Sequence, residues 1–412
     1  MADLFQVERN EETRITTDYD ELLRLVRESG MDYKWAKMFV KKLADDEKAY
    51  LASAETKKWA LERGFYPGRV ELYGLTEENY RNYIPDYSYF MLHPINHHFR
   101  KWLDKLTLKY VLNSNGCEKS MPEYYLYVEN NGNYTYLMDL DDTVKKDKDF
   151  ILNLLREKGI LAIKPNSGTS GGRGFMKVEW RDGNILVNNE HIGMAEFEDI
   201  ISNIGNNIVT EYCCQHEELA RIWPDSECTL RLIMAKMPYE NKWSEAKWHN
   251  IISLARFGSS VSGGASNMSA GGIGVGFDYE TGKCKEFGLR FRRFSTDGNI
   301  FCYEHPDSHV KWKDLVLPNW EKVKCMVEDV CAHISSLDYL GLDIIITQNG
   351  MKICEINSHP AIDDDQIQCR PIFEDEDTKK FFEYHGLFDV DNSKFYEMYM
   401  ASQKKTDILF IK

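Results

Sequence analysis

Residues 341–357, GLDIIITQNGMKICEIN, restrict the fold of this chain more tightly than any other segment. Two apolar runs flank the dipeptide Asn349-Gly350, which is typical of the tight turn of a β-hairpin. A loop of three residues would pair Thr347 with Met351 and would fix the register of the two strands. The segment therefore predicts an antiparallel hairpin inside a larger α+β structure.

Three oxygen-bearing side chains occur toward one end of this hairpin. In the register just described, Asp343 lies opposite Glu355. Glu355 and Asn357 are two residues apart and therefore share a face of the second strand. An exposed acidic sheet edge would explain Asp343, but it would not explain Glu355 and Asn357 within an otherwise apolar strand. Because Mg²⁺ prefers hard oxygen ligands, the sequence predicts a metal site formed by Asp343, Glu355 and Asn357.

A second informative segment is ILAIKPNSGTSGGRGFMKV, residues 160–178. Residues 160–163 and 175–178 are apolar enough to form strands, and the residues between them are rich in glycine and serine. This order differs from the strand, loop and helix of a P-loop or dinucleotide site. Two interpretations remain open at this point: a flexible solvent-exposed hairpin, or a lid of backbone N–H groups over phosphates with Lys164 beneath it.

The remaining pattern divides the chain into a helical front part and a strand-rich main part. DYDELLRLVRESG has apolar residues at helical spacing, with Asp18 or Asp20 as N-cap and Gly30 at the C-terminal end. Short apolar alternations begin near residue 122, and an amphipathic helix follows Pro318. We expect an α+β protein with a helical region over 1–100, a main domain over 101–370 containing a smaller subdomain at about 155–212, and a helical tail over 371–412.

Charge, apolar content and cysteine spacing indicate which partners and which cellular location suit this chain. A formal charge of −15 over 412 residues is unfavourable for binding nucleic acid or an anionic membrane. The N-terminus lacks a basic segment followed by an apolar one, and no apolar run is long enough to span a bilayer. The ten cysteines are scattered without a CxxC pair. These features predict a cytoplasmic protein with free thiols.

The order of these motifs resembles that of the ATP-grasp superfamily. The resemblance consists of a lysine before a Gly-rich hairpin, the segment VTEYCCQHEEL, an arginine in LRL and a terminal E-x-N. More narrowly, IKPNSGTSGGRGF, SNMSAGGIGVGFDYETG and HPDSHVKWKDLVLPNW resemble the sugar-transfer-associated ATP-grasp proteins found with polysaccharide biosynthesis genes. The resemblance runs from about residue 100 to 362. It implies an ATP-grasp fold, in which two α+β subdomains clasp ATP, preceded by a helical region.

The resemblance also implies roles for individual residues. Lys164 and Lys105 would contact the ATP phosphates, with Lys109, one helical turn later, as the alternative to Lys105. Glu217 or Glu218, of which we favour Glu218, would bind the ribose. The other implied residues are Ser167, Ser170, Gly171, Gly172 and Gly174 over the phosphates, Glu211 and Cys213 at adenine through their backbone, and Arg231, Arg256 and Asn267 at the phosphate, metal or substrate.

The activity implied is that of a ligase. Such enzymes use ATP and Mg²⁺ (two ions, with Mn²⁺ as a substitute) to phosphorylate a carboxylate, after which an amine displaces the phosphate. The implied substrates are small carboxylates and amines, including a sugar nucleotide or glycan precursor. Two alternatives remain: a phosphotransferase that releases a phosphorylated product, and a nucleotide-binding module without turnover. No oligomeric state is implied.

Overall fold

The computed structural model describes residues 10–92, 95–96, 100–113, 116–146, 149–167, 174–239, 242–295, 298–334, 336–368 and 371–410. The helices are α1 Tyr19–Glu28, α2 Tyr33–Ala49, α3 Ala54–Glu62, α4 Gly68–Tyr73, α5 Asp86–Met91, α6 Lys105–Leu112, α7 Phe150–Lys158, α8 Met194–Ser202, α9 Glu217–Ala220, α10 Trp320–His333, α11 Asp363–Gln368, α12 Glu376–Tyr384 and α13 Ser393–Ala401. The strands are β1 Asn10–Thr17, β2 Tyr124–Val128, β3 Tyr134–Tyr136, β4 Ile160–Pro165, β5 Met176–Arg181, β6 Asn184–Val187, β7 Glu190–Ile192, β8 Asn207–Glu211, β9 Thr229–Tyr239, β10 Lys242–Phe257, β11 Ile273–Phe277, β12 Cys284–Leu289, β13 Phe301–Cys302, β14 Tyr339–Thr347, β15 Gly350–Asn357 and β16 Gln403–Phe410.

The chain forms two compact units. One combines residues 1–95 with 370–412, and the other comprises residues 96–369. None of the described helices combines the length and the apolar character that crossing a lipid bilayer requires.

The first unit is mainly helical and is closed by a pair of strands. Asp18 caps α1 by accepting hydrogen bonds from the N–H groups of Asp20 and Glu21, so Asp18 and not Asp20 is the N-cap. The ring of Phe39 in α2 lies 4.8 Å from that of Phe395 in α13, which joins the two ends of the sequence in one core. The antiparallel pairing of β1 with β16 was not predicted, because a strand pair this far apart in sequence leaves no local pattern.

The larger sheet of the second unit has the strand order β13-β12-β11-β10-β9-β14-β15, with every pairing antiparallel. Helix α10 packs on it through buried Trp320, Val323, Val327 and Val330. The Nε1 group of Trp320 donates to the carbonyl oxygen of Tyr279 over 2.6 Å. The apolar side of this helix covers one face of the sheet, so the charged residues that alternate with the packed ones in β9, β10 and β14 lie on the opposite face.

The β14–β15 hairpin differs from the prediction in the length of its turn, but it agrees in the pairing of the residues predicted to bind metal. Thr347 pairs with Gly350, so the loop has two residues and the predicted three-residue loop was wrong. A bulge at Cys354 adds one residue to β15 between the pairs Ile344–Ile353 and Asp343–Glu355. The bulge offsets the shorter turn, and the predicted pairing of Asp343 with Glu355 is confirmed.

The smaller sheet has the order β3-β2-β8-β4-β5-β6-β7 and is also antiparallel throughout. Strands β4 and β5 pair directly, as the pattern of residues 160–178 predicted. Two of the strands, β2 and β3, come from before residue 155. Helix α7 buries Phe150, Ile151, Leu154 and Leu155 in the core of this sheet.

Candidate active site

The centre of the candidate site is Asp343, a buried carboxylate held by two arginines. Arg231 lies directly opposite on β9, and its Nε and Nη2 donate to Oδ1 and Oδ2 of Asp343 over 2.7 and 3.0 Å. Arg256 on β10 donates from Nη2 to Oδ1 over 2.7 Å. Burial alone would raise the pKa of the Asp343 carboxyl, but the charges of Arg231 and Arg256 offset it and hold that pKa at about 2.

Arg256 has a donor that its protein neighbours leave unused. Its Nε is buried and has no hydrogen-bond partner among the described residues. A buried donor of this kind costs free energy unless an acceptor reaches it. Since guanidinium groups bind phosphates and carboxylates in a planar, two-pronged geometry, the arrangement suits an anion that approaches Arg256 beside Asp343.

Glu355 and Asn357 complete the cluster from β15. Nδ2 of Asn357 lies 3.4 Å from Oδ2 of Asp343 and 3.2 Å from Oε1 of Glu355. Nζ of Lys105, the first residue of α6, lies 3.5 Å from Oε2 of Glu355. The three predicted metal ligands are therefore adjacent, and their roles remain predictions.

The donor set of the cluster meets part of the needs of Mg²⁺. Two carboxylates and an amide fit a hard cation that takes its other ligands from phosphates and water. The described residues contain no group of three or more His, Cys, Asp or Glu side chains that could hold a metal without such help. Both oxygens of Asp343 already accept two hydrogen bonds, whereas the side chain of Glu355 is 39% exposed. Glu355 is thus the more accessible ligand, and an Asn357 oxygen ligand requires its amide to turn.

The structure separates the two candidate lysines of α6. Nζ of Lys109 lies 2.6 Å from Oδ2 of Asp139 and donates to the carbonyl oxygen of Pro122 over 2.9 Å, and its side chain is 2% exposed. Lys109 is therefore held inside the protein by Asp139 and Pro122. Lys105 reaches the carboxylate cluster instead, which favours Lys105 over Lys109 as a phosphate-binding residue.

Lys164 lies on β4 and, unlike Lys105 and Lys109, has no carboxylate close to its ammonium group among the described residues. Its Nζ is 5.8 Å from the ring centroid of Tyr124, and in the described part of the chain it forms no ion pair with a carboxylate. Burial lowers the pKa of the Lys164 ammonium below its usual value. A cation without a carboxylate partner is available to an incoming anion, and the contact of Lys164 with phosphate remains a prediction.

Only the ends of the Gly-rich segment can be described. Ser167 is exposed, and its Oγ lies 3.5 Å from Nδ2 of Asn206. Gly174 has a φ of +79°, and a Cβ at that position would approach Cγ of Pro165 to 2.9 Å, so the position requires glycine. Three predicted lid residues, Ser170, Gly171 and Gly172, lie outside the described residues.

The segment after β8 leads from the smaller sheet to the larger one. The N–H of Glu211 donates to the carbonyl of Glu123, and its side chain pairs with Lys352 at 3.3 Å. Cys213 is buried, and the N–H of His216 donates to the carbonyl of Ile346. The N–H of Glu211 is thus already engaged. The adenine contacts of Glu211 and Cys213 remain predictions.

Two further predicted residues lie in local turns. Glu218 is exposed in the first turn of α9, where Nδ1 of His216 accepts a hydrogen bond from its N–H. Oδ1 of Asn267 accepts hydrogen bonds from the N–H and the hydroxyl of Ser269, both over 2.9 Å. Glu218 thus lies beside the N-cap of α9, and Asn267 caps its own turn. The contact of Glu218 with ribose, and that of Asn267 with phosphate, metal or substrate, remain predictions.

Tyr124 and Asp139 are the residues of this region that sequence reasoning missed. Tyr124 on β2 is separated from Lys164 on β4 by β8, so no spacing along the chain predicts their contact. Asp139 follows the short strand β3 and gives no signal of its role with Lys109. The segment YYLYVE predicts a strand with buried aromatic residues, but it does not indicate that one of them contacts Lys164.

The chain is similar to one known family and to several solved structures. The sugar-transfer associated ATP-grasp family matches residues 91–374. No curated protein sequence matches the chain at a significant level. Among solved structures, the ATP-grasp ligase PsnB complexed with a phosphomimetic variant of its minimal precursor, Mg and ADP is 11% identical, with a TM-score of 0.34. That match covers 69% of this chain and 59% of the PsnB chain.

A D-alanine–D-alanine ligase from Bacillus anthracis complexed with ATP is 14% identical, with a TM-score of 0.32, and the match covers 76% of this chain and 68% of that one. The family match confirms the α+β ATP-grasp fold predicted from the sequence. Since the matched segment exceeds half of the 412 residues, the chain belongs to the sugar-transfer associated ATP-grasp family.

Proposed function

We propose that the protein is an ATP- and Mg²⁺-dependent ligase that activates a carboxylate as an acyl phosphate and joins it to an amine. Family membership supports an ATP-dependent ligase. The proposal extends to precursors of cell-surface glycans as the substrate class, with a sugar nucleotide among the candidates. The observation that carries it is the convergence of Arg231 and Arg256 on Asp343, next to Glu355 and Lys105.

The charge of this cluster supports phosphate chemistry. Four cationic side chains (Lys105, Lys164, Arg231 and Arg256) accompany two carboxylates (Asp343 and Glu355), so the local balance is positive although the whole chain is strongly acidic. An excess of cations in a largely buried site attracts polyanions such as ATP. Phosphoryl transfer needs mainly charge neutralisation and alignment, and these side chains supply both.

Glu355, Asp343 and Asn357 would hold the metal, and Oδ2 of Asp343 would become available when the Asn357 amide turns. When bound, Mg²⁺ supplies further neutralisation of phosphate charge and helps to align the reacting groups. Glu355 would bind first because it is the more exposed carboxylate, and Asp343 would keep the two arginines in place. Lys105 would then exchange its contact with Glu355 for one with a phosphate oxygen.

The thiols near the site fit a mechanism without a covalent enzyme intermediate. Burial raises the pKa of Cys354 to about 12, although the charge of Lys164 acts in the opposite direction. The thiol therefore stays protonated and is a poor nucleophile near neutral pH. The amine substrate itself would attack the acyl phosphate, and the arginines would bind the departing phosphate.

The test is ADP release by the purified protein with ATP, Mg²⁺ and pairs of carboxylates and amines, including amino acids and uronic-acid nucleotide sugars. We expect ADP release that requires both substrates, and hydroxylamine should trap the activated carboxylate as a hydroxamate. Glu355→Gln should abolish it, whereas Glu280→Gln should not, because Glu280 forms an exposed pair with Lys324.

Two outcomes would contradict the ligase. ADP release with a stable phosphorylated product and no need for an amine would indicate the phosphotransferase. Binding of ATP without turnover for any pair of substrates would indicate a nucleotide-binding module.

A further inference from the structure

Tyr124 lies between two lysines that behave differently. Its side chain is completely buried at the start of β2. Nζ of Lys109 is 5.4 Å from the centroid of its ring, and Nζ of Lys164 is 5.8 Å from it. Both distances fall within the range in which an ammonium group is attracted by the negative face of an aromatic ring.

The two lysines do not depend on the ring to the same extent. Lys109 is bound at short range by Asp139 and by the carbonyl of Pro122. Lys164, within the described residues, has neither an ion pair nor a hydrogen bond, and the Tyr124 ring is the stabilising contact of its ammonium group. The ring therefore matters most for Lys164.

The hydroxyl group of Tyr124 does not explain why a tyrosine stands here. Its Oη is buried and has no hydrogen-bond partner among the described residues, which is unfavourable for a polar group. The backbone N–H of Tyr124 donates to Oδ2 of Asp139, a contact that any residue except proline can make. What remains as the specific contribution of the side chain is the face of its ring.

The other groups around Lys164 come from three elements. Cys354 and Glu355 belong to β15, Cys213 to the segment after β8, and Lys105 to α6. The thiols are neutral, because burial raises the pKa values of both. Glu355 is engaged by Lys105, whose own charge opposes that of Lys164. The immediate surroundings thus contain no anion dedicated to Lys164.

We propose that Tyr124 is a positioning residue that keeps the Lys164 ammonium group charged and oriented without neutralising it. A carboxylate in the same place would hold Lys164 more strongly, but an incoming phosphate would have to displace it. An aromatic face gives attraction with no net charge, so the cation stays available. The link to a phosphate rests on the proposed function, whereas the contact between ring and ammonium does not.

The experiment varies the ring electrons at nearly constant size. Tyr124 is replaced by phenylalanine and then by 4-fluoro-, 3,5-difluoro- and 3,4,5-trifluorophenylalanine, because each fluorine weakens the negative face of the ring. The pH dependence of acylation of Lys164 by an amine-reactive ester is followed by peptide mass spectrometry without nucleotide. Phenylalanine should behave like tyrosine, and trifluorophenylalanine should move the midpoint down by roughly half a pH unit to one unit.

The neighbouring Tyr125 provides the matched control. Its ring lies 5.3 Å from Nζ of Lys158 instead, so the same series at position 125 should leave the Lys164 profile unchanged. An unchanged Lys164 profile throughout the Tyr124 series would overturn the proposal. So would a loss of the effect already complete in the phenylalanine variant, since that would assign it to the hydroxyl group.

Titration with a non-hydrolysable ATP analogue adds the second readout. Affinity should fall stepwise along the Tyr124 series, by roughly two- to fivefold at trifluorophenylalanine. If the unmodified protein fails to bind the analogue, the proposed function is contradicted, and the acylation profile still decides the role of Tyr124. If the analogue binds equally well to all variants, the positioning role is overturned.

Discussion

Two buried carboxylates, one in each unit, have pKa values that are shifted in opposite directions. Asp46 in α2 and Asp343 in β14 are 8% and 6% exposed, and each has arginine charge nearby. Burial raises the pKa of Asp46 to about 6, against the opposing effects of Arg69 and of the Gly68 N–H. At Asp343 burial also acts to raise the pKa, but the arginines overcome it, and the pKa is about 2.

The difference comes from direct contact. Arg69 forms its ion pair with Asp86, and Asp46 accepts a 2.8 Å hydrogen bond from the N–H of Gly68. Asp343 is instead bound by Arg231 through two hydrogen bonds and by Arg256 through a third. Burial therefore does not decide whether a carboxylate stays charged; the number of charged donors in contact with it does. A permanently charged, buried carboxylate would suit the proposed site for metal and phosphate.

Removing the principal partner of Asp343 should have the largest effect on stability. Arg231→Met leaves the buried Asp343 carboxylate with one charged donor, Arg256, and the neutral amide of Asn357, and we expect the free energy of unfolding to fall by about 3 kcal/mol. Urea unfolding measures this. Adding Asp343→Asn should recover part of the loss, because the uncompensated charge is gone. Unfolding of Arg231→Met at the same urea concentration as the unchanged protein would refute this account of Asp343.

Glu355 should separate function from stability in the same cluster. Its side chain is far more exposed than that of Asp343, so Glu355→Gln should change the urea midpoint little. ATP turnover should nevertheless fall by roughly 100-fold or more, because the variant loses the charge that would bind Mg²⁺. Normal ADP release at saturating Mg²⁺ would remove Glu355 from the metal site.

Asp46 should respond to pH in the opposite direction from Asp343. Its folded-state pKa is above its unfolded value, so its favourable contribution is complete below about pH 4 and is lost as the pH rises through about 6. The contribution of Asp343 is complete above about pH 4 and is lost as the pH falls toward 2.

Asp46→Asn should therefore stabilise the helical unit at pH 7.5, by about 3 kcal/mol at most, and by only about 1 kcal/mol at pH 4.5. The side-chain oxygen of the variant can still accept the Gly68 N–H. Hydrogen-exchange protection of the α2 amides at both pH values tests this, with β14 amides as the control. Greater protection of the unchanged protein at pH 7.5 would contradict the raised pKa of Asp46.

The sequence could predict neighbours within one hairpin but not the contacts that decide their chemistry. The pairing of Asp343 with Glu355 was predictable because strand residues alternate with a period of two. Even there the turn was wrong by one residue, and the bulge at Cys354 offset the error. The contact of Asp343 with Arg231 depends on β14 lying beside β9, more than one hundred residues earlier. Lys109 likewise lies in a helix that the sequence predicts, but its partner Asp139 lies in a loop without a recognisable motif.

The smallest effect is expected at Arg24, where the charges of the Asp343 cluster are exchanged and the group lies at the surface. Arg24 in α1 contacts two carboxylates, Glu21 and Glu28, much as Asp343 contacts two arginines. Its side chain is 52% exposed, however, so water and salt screen the attraction and ordering the long side chains costs entropy. Arg24→Met should leave the urea midpoint unchanged within error at 0.15 M salt. A shift as large as that of Arg231→Met would mean that the count of charged contacts, irrespective of burial, governs stability in this protein.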